Sequence, residues 1–267
     1  MATEAPSDYK VKNIVAGCVG NVLEWYDFAL YGFFAPVIAK LFFPSDDQIS
    51  GLLATFGIFA VGFLMRPIGS VLFGIIGDKL GRKKALEISV VMMAIPTTLI
   101  GVLPTYETAG IWAPIFLTII RLIQGISVGG EFTGSISYVV ENAPHPPPQR
   151  GFYSSWTVFS LLGGILLGSA IASIITNIFT SAQVDSFGWR IPFLLGLIIG
   201  IIGLFLRSGL DESPAFKKMK EAGQLAKTPV LDSFKYHWKE ILTVVGATCV
   251  GSINFYLIFV YLTTYLS

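Results

Sequence analysis

The chain has 267 residues, of which 53% are hydrophobic, 13% aromatic and only 13% charged. A soluble domain carries about a quarter charged residues, so this composition excludes an ordinary water-soluble protein and points to a chain whose solvent is mostly lipid. The net charge of +1 says little by itself; the placement of the charges says more.

Residues 1–11 are polar and mixed in charge, and read as a cytoplasmic tail. They are not expected to be a cleavable signal, because the apolar run behind them is too long and carries carboxylates. Seven apolar runs follow, at about 12–40, 51–76, 85–103, 110–140, 151–179, 189–207 and 238–266. Each is long enough for a spanning helix at ~1.5 Å per residue. The runs are continuous and not alternating, which does not fit a β-barrel. Cys18 and Cys249 both lie in apolar runs and read as small buried thiols, not as a disulfide or a metal pair.

Lysine and arginine orient the helices. With the N-terminus inside, the inner segments hold Lys10, Lys12, Lys79, Arg82, Lys83, Lys84, Arg150, Arg207 and the lysines from Lys217 to Lys239. The outer loops hold only Lys40 and Arg190, so an inside N-terminus is expected. The densest inner segment is the loop Gly74-Ile-Ile-Gly77-Asp78-Lys79-Leu80-Gly81-Arg82-Lys83-Lys84 between the second and third runs. Residues 144–148, Pro-His-Pro-Pro-Pro, read as a stiff turn. The lysine-rich segment 208–237 reads as a cytoplasmic linker with a short amphipathic helix over 215–226. The expected organisation is a tail (1–11), a six-helix body (12–208), a linker (209–238) and a seventh transmembrane helix (239–267). Asp78-Lys-Leu-Gly81-Arg82 and Asp185-Ser-Phe-Gly188-Trp-Arg190 echo one another, as corresponding loops of two inverted three-helix repeats would.

Five ionisable residues fall inside the runs: Glu24, Asp27, Arg66, Arg121 and Glu131. Each costs ~2.5–3.5 kcal/mol near a helix centre, so each must face protein or water. Glu24, Asp27 and Tyr31 share one helix face, and Arg121, Gln124, Val128, Glu131, Ser135 and Tyr138 form one stripe. At 1.5 Å per residue Asp27 lies ~22 Å from the inner end of its helix and Arg121 ~15 Å from the outer end of its own. A contact between them near the midplane is therefore allowed. Such a pair suits proton coupling, since protonating the acid frees the arginine; it would equally serve to hold helices together. Glu24 has two readings, a snorkelling side chain or one sharing a proton with Asp27. Arg66, beside Pro67, would answer the carbonyls of a broken helix. The aromatic residues of the first run either pack and face lipid or, in part, box a quaternary ammonium. Gly163, Gly164, Gly168, Ser169 and Ala170 are expected to let helices approach closely.

Several ordered motifs carry a family resemblance. Gly74 with Gly77-Asp78-Lys79-Leu80-Gly81-Arg82-Lys83 resembles the signature loop of the major facilitator superfamily, and Arg121-Leu-Ile-Gln124-Gly125 resembles its fourth-helix motif. Asn21-Val-Leu-Glu24-Trp25-Tyr26-Asp27-Phe28, Arg66-Pro67-Ile-Gly69, Gly129-Gly130-Glu131-Phe132-Thr133-Gly134, Gly188-Trp189-Arg190-Ile-Pro192-Phe193 and Glu212-Ser213-Pro214-Ala215-Phe216 are similar to the metabolite:proton symporter branch, which carries proline/betaine, oxoglutarate, citrate and shikimate. The Gly-Pro of the fifth helix that marks antiporters is absent, which favours symport.

The resemblance implies an all-α membrane protein: a six-helix bundle of two inverted three-helix repeats, plus a seventh transmembrane helix. It implies symport of a small polar metabolite, an osmolyte or organic acid, by alternating access in a bacterial inner membrane. No enzyme activity, metal or cofactor is expected; protons are the coupling ion. The expected proton-coupling residues are Asp27, Arg121, Glu24 and Glu131, and the expected substrate-binding residues are Trp25, Tyr31, Arg66 and Gln124. Gly74, Asp78, Gly81 and Arg82 would form a conformational latch whose other side lies in a second half. A complete member has twelve spans. The partners are therefore a small molecule, the bilayer and, on one reading, a second copy or companion chain supplying further helices; no nucleic acid is expected. A non-transporting membrane interaction protein is the alternative.

Overall fold

A backbone in lipid must satisfy its own hydrogen bonds, and every regular element among the described residues is helical. The computed structural model describes residues 7–44, 47–142, 150–223 and 235–256. In chain order the helices are α1 (Ser7–Phe33), α2 (Ala35–Phe42), α3 (Gln48–Leu64), α4 (Arg66–Leu80), α5 (Arg82–Val102), α6 (Tyr106–Ala109), α7 (Trp112–Glu141), α8 (Arg150–Ile178), α9 (Ser181–Gln183), α10 (Arg190–Ser208), α11 (Pro214–Glu221) and α12 (Trp238–Tyr256). A π-turn, Val184–Gly188, leads into α10. Two compact units result, Met1–Leu225 and Ala226–Ser267. The proline run at 144–148, the end of the expected linker helix at 224–226 and the last residues of the expected seventh span lie outside the described residues.

The first apolar run reads as one helix over 12–40, but the structure breaks it at Phe34, and the axes of α1 and α2 differ by 66°. Pro36, in the first turn of α2, accounts for the break. Inside a continuous helix its ring would clash with the carbonyl of Gly32 and its missing N–H would leave that carbonyl unpaired. The second run is longer than expected and pauses at Met65, just before Arg66-Pro67. Asp47 caps α3, accepting from the backbone of Ile49 at 3.1 Å and Ser50 at 3.2 Å. The Ser50 hydroxyl and the Ile49 amide hold its carboxyl below the ordinary value. Among the described residues, five helices or joined pairs are long and apolar enough to span a membrane, and six when the bent α1–α2 pair counts as one. Their outer faces carry exposed Leu64, Leu166 and Phe205, an apolar surface that water-soluble monomers avoid. In the second unit, α12 covers the described part of the expected seventh span. There Cys249 is exposed, unlike buried Cys18, so only one of the two thiols is covered.

The packing of the first unit has an internal symmetry. Its most extensive contacts are α1 with α8, α5 with α10, α4 with α7 and α5 with α7, followed by α3 with α7 and α1 with α10. Exchanging the first three spans with the last three converts α1–α8 into α7–α4 and α5–α7 into α10–α1, and leaves α5–α10 unchanged. This is the pattern of two three-helix repeats around a pseudo-twofold axis. Close approach depends on small residues. A methyl group added at Gly69 or Gly129 would overlap the backbone across the α4–α7 contact, and Gly164 and Gly168 take the same role where α8 meets α1.

Candidate functional site

The two polar stripes read from the sequence face each other inside the bundle. Glu24, Asp27 and Tyr31 of α1 are buried, as are Arg121, Gln124, Glu131, Ser135 and Tyr138 of α7. At the centre, Arg121 Nη1 donates to Asp27 Oδ2 at 2.5 Å and to Gln124 Oε1 at 2.8 Å. Asp27 Oδ1 accepts from Gln124 Nε2 and from the Thr97 hydroxyl of α5, each at 3.0 Å. Gln124 Nε2 also donates to that hydroxyl, at 2.9 Å. The Arg121 guanidinium lies 3.8 Å from the ring centre of Tyr31, whose own hydroxyl donates to the Thr55 carbonyl at 3.0 Å. Arg121 Nε and Nη2 have no hydrogen-bond partner among the described residues. The pair is fully withdrawn from solvent, yet one side of its cation is open.

A second buried pair, nearly three turns from Arg121 along α7, is closed. Glu131 is bridged by Arg207 of α10 through both carboxylate oxygens and also accepts from Ser89. The remaining donors of Arg207 reach the carbonyls of Ala16 (3.1 Å), Gly17 (3.2 Å) and Leu86. One guanidinium thus fastens α1, α5 and α7 to α10. The pair sits against Gly20, where any side chain would collide with it. Arg207 appears in the sequence as a residue of the inner flank; its true position is inside the bundle, with no exposure at all.

Glu24 does not hydrogen-bond to Asp27. Its Oε1 lies 3.8 Å from Arg66 Nη2, an ion pair with the start of α4 that neither reading, snorkelling or proton sharing, included. Arg66 in turn rests on Phe63 and Phe28, 3.9 and 5.1 Å from the ring centres. Phe28, Phe59 and Phe63, with Arg66, Arg121, Gln124 and Val128, line a narrow recess with room for about one water molecule. Tyr31 stacks on Phe59 at 5.3 Å, and Trp25 meets Phe28 edge-on at 5.5 Å but does not line the recess. A larger hollow, bounded by Pro36, Lys40, Phe43, Asp47 and Asp185, is open to solvent and contains none of the buried pairs.

The basic loop is held by an acid that the sequence reading did not assign to it. Arg82 pairs with Asp78 at 3.0 Å and with Glu141 at the end of α7 at 3.3 Å. Glu212 Oε1 accepts from the backbone N–H groups of Arg82 (2.9 Å), Lys83 (3.2 Å) and Ser213 (2.9 Å). A carboxylate on free helix N–H groups is a favourable cap. Gly81 makes room for it: its φ is 106°, and a Cβ there would overlap the Glu212 carboxylate and touch Phe216. Phe216 and Ser213 are buried, and the Tyr138 hydroxyl donates to the Asp211 carbonyl at 2.8 Å. Residues 209–216, read as linker, are therefore stitched onto the first unit. Among the described residues, nothing outside its own helix turn stands within 4 Å of a Cβ added at Gly74. In the corresponding loop before α10, Arg190 donates to the carbonyls of Gly101 (3.0 Å) and Leu103 (2.6 Å) at the end of α5, and Asp185 pairs with Lys40.

Fold and site together define a multi-pass membrane protein with its polar chemistry enclosed in a helical bundle. The family model described as "Sugar (and other) transporter" matches residues 12–235. The chain belongs to this transporter family, within the major facilitator superfamily. It is 42% identical over 266 residues to the proline/betaine transporter of Escherichia coli K12, covering 96% of this chain and 53% of that protein. It is 40% identical to the glycine betaine/proline/ectoine/pipecolic acid transporter OusA of Dickeya dadantii, covering 96% and 52%. Among solved structures, the proton:xylose symporter XylE superimposes with a TM-score of 0.72 at 22% identity, covering 83% of this chain and 48% of that one; this likeness concerns the fold alone. The chain spans about half the length of the curated relatives it matches. These relatives are carriers, not enzymes.

Proposed function

We propose that this chain forms the substrate- and proton-handling half of a symporter for a small osmolyte of the betaine or proline type, or for an organic acid. The observation that carries the reading is the Asp27–Arg121 pair, buried with two guanidinium nitrogens unpartnered beside an aromatic recess. While Asp27 is ionised, the two charges cancel. Protonating it leaves an uncompensated cation in a low-dielectric site, which is costly. A substrate carboxylate reaching the free edge of Arg121 removes that cost. Proton and carboxylate therefore favour one another's binding, and the coupling is reciprocal. Gln124 and Thr97 keep the protonated carboxyl in place. The ring faces of Phe28, Phe59 and Tyr31 suit an alkylated ammonium.

Alternating access would move this half against a second one, supplied by further helices on the same or another chain. The Asp78–Arg82–Glu141 cluster would act as the inner latch, and Gly74 would leave space for the opposing half. The N-terminus would lie on the cytoplasmic side of a bacterial inner membrane, as the distribution of lysine and arginine suggests. The test is uptake of glycine betaine and proline into proteoliposomes under an imposed proton gradient, for the wild type and Asp27→Asn. The expected result is loss of gradient-driven accumulation with substrate exchange retained. Undiminished accumulation in Asp27→Asn would remove Asp27 from the mechanism. Native mass measurement in nanodiscs separates a carrier completed by a second copy or companion from a non-transporting membrane protein.

A further inference from the structure

Building on the reading of the central cluster as an osmolyte site, we propose that Glu24 is its cation-binding end and makes it select zwitterions over plain anions. The three buried carboxylates of the bundle differ in how far they are satisfied. Both oxygens of Asp27 accept hydrogen bonds, from Arg121, Gln124 and Thr97. Both oxygens of Glu131 are taken by Arg207 and Ser89. Glu24 is different. Its side chain is 3% exposed, Oε2 accepts no hydrogen bond among the described residues, and Oε1 stands 3.8 Å from Arg66, beyond hydrogen-bond range. A buried carboxylate in that state gains from any cation brought to it.

The surroundings define which cation fits. Arg66 is 30% exposed, and its guanidinium rests against the faces of Phe63 and Phe28 beside Glu24. That is the environment an alkylated ammonium takes, an aromatic face with a carboxylate behind it. The chain's own guanidinium marks the position. On the same helix face, one turn on, Asp27 holds Arg121, whose open N–H groups await a carboxylate. Residues at this spacing have Cβ atoms ~5–6 Å apart, which matches a compact molecule whose opposite charges are one or two carbons apart. Glycine betaine and proline have this shape. A plain carboxylate of equal size would leave Glu24 facing an apolar group.

The test uses glycine betaine and its carbon isostere 3,3-dimethylbutyrate, in which a tert-butyl group replaces trimethylammonium. Affinities are measured by titration calorimetry on the nanodisc-embedded protein in its complete carrier. The wild type should prefer glycine betaine by about tenfold or more. Glu24→Gln should bring the two affinities together by weakening glycine betaine alone, while Glu24→Asp keeps the preference. A wild type that binds both equally overturns the inference without using any variant. So does a Glu24→Gln protein with the ratio unchanged, or one that loses both ligands alike. A wild type that binds neither overturns the osmolyte reading as well, which distinguishes that failure from failure of the Glu24 role.

Discussion

Two arginine–carboxylate pairs of the same chemistry are buried in one bundle, and their surroundings give them opposite roles. Arg207 donates to Glu131, Ser89 and three carbonyls of two other helices, so protonating or moving any member breaks several contacts at once. Arg121 keeps nitrogens in reserve. On the proposed reading the first pair is a fastener, and the second exchanges partners. Arg207→Met would leave Glu131 buried without its cation, at a cost of about 3–5 kcal/mol. The expected outcome is a large drop in thermal stability in detergent. Arg207→Met combined with Glu131→Gln should recover much of it, because the double change removes the stranded charge. A single variant as stable as the wild type would show that the pair does not hold the bundle together.

The residue pattern made part of this legible. Stripes at steps of three and four pointed to the facing surfaces of α1 and α7, and counting residues from the helix ends put Asp27 and Arg121 at similar depth. Thr97 was not legible. A threonine in an apolar run, next to Pro96, looks like packing until α5 is seen to lie against Asp27. Arg207 was missed for a different reason. Charge counting assigns a basic residue at the end of a run to the aqueous flank, whereas here close packing around Gly20 and Gly17 admits it to the interior.

At the scale of elements, breaks and caps decide where side chains point. Pro36 turns α2 away from α1, and the pause at Met65 starts α4 with Arg66 beside the aromatic recess. The α4–α5 loop owes its order to Glu212, which comes from more than a hundred residues further along the chain. Sequence spacing could not reveal that, since a cap supplied from a distant segment has no fixed offset. Glu212→Ala should cost about 1 kcal/mol, the ordinary value of a helix cap. Hydrogen exchange at the amides of Arg82 and Lys83 should then speed up about fivefold, while exchange in the middle of α7 stays unchanged. Unaltered protection at Arg82 and Lys83 would contradict the capping role.

At the scale of the whole molecule, the inverted arrangement of the first unit was legible from span count and the paired loops, because both follow from period and charge. What no spacing shows is which spans touch; that depends on the small residues that let α4 meet α7 and α8 meet α1. The orientation makes its own prediction. In a background with Cys18→Ser and Cys249→Ser, a cysteine replacing Lys84 should react with an impermeant maleimide only from the cytoplasmic side, and one replacing Ser186 only from outside. The reverse pattern would invert the topology. The central claim is that a carboxylate bound at Arg121 and a proton bound at Asp27 stabilise each other. It is tested most directly by following pH in weakly buffered suspensions of the purified carrier as substrate is added. The account predicts proton uptake by the wild type on substrate binding and none by Asp27→Asn with substrate still bound. Equal proton uptake by both proteins would contradict it.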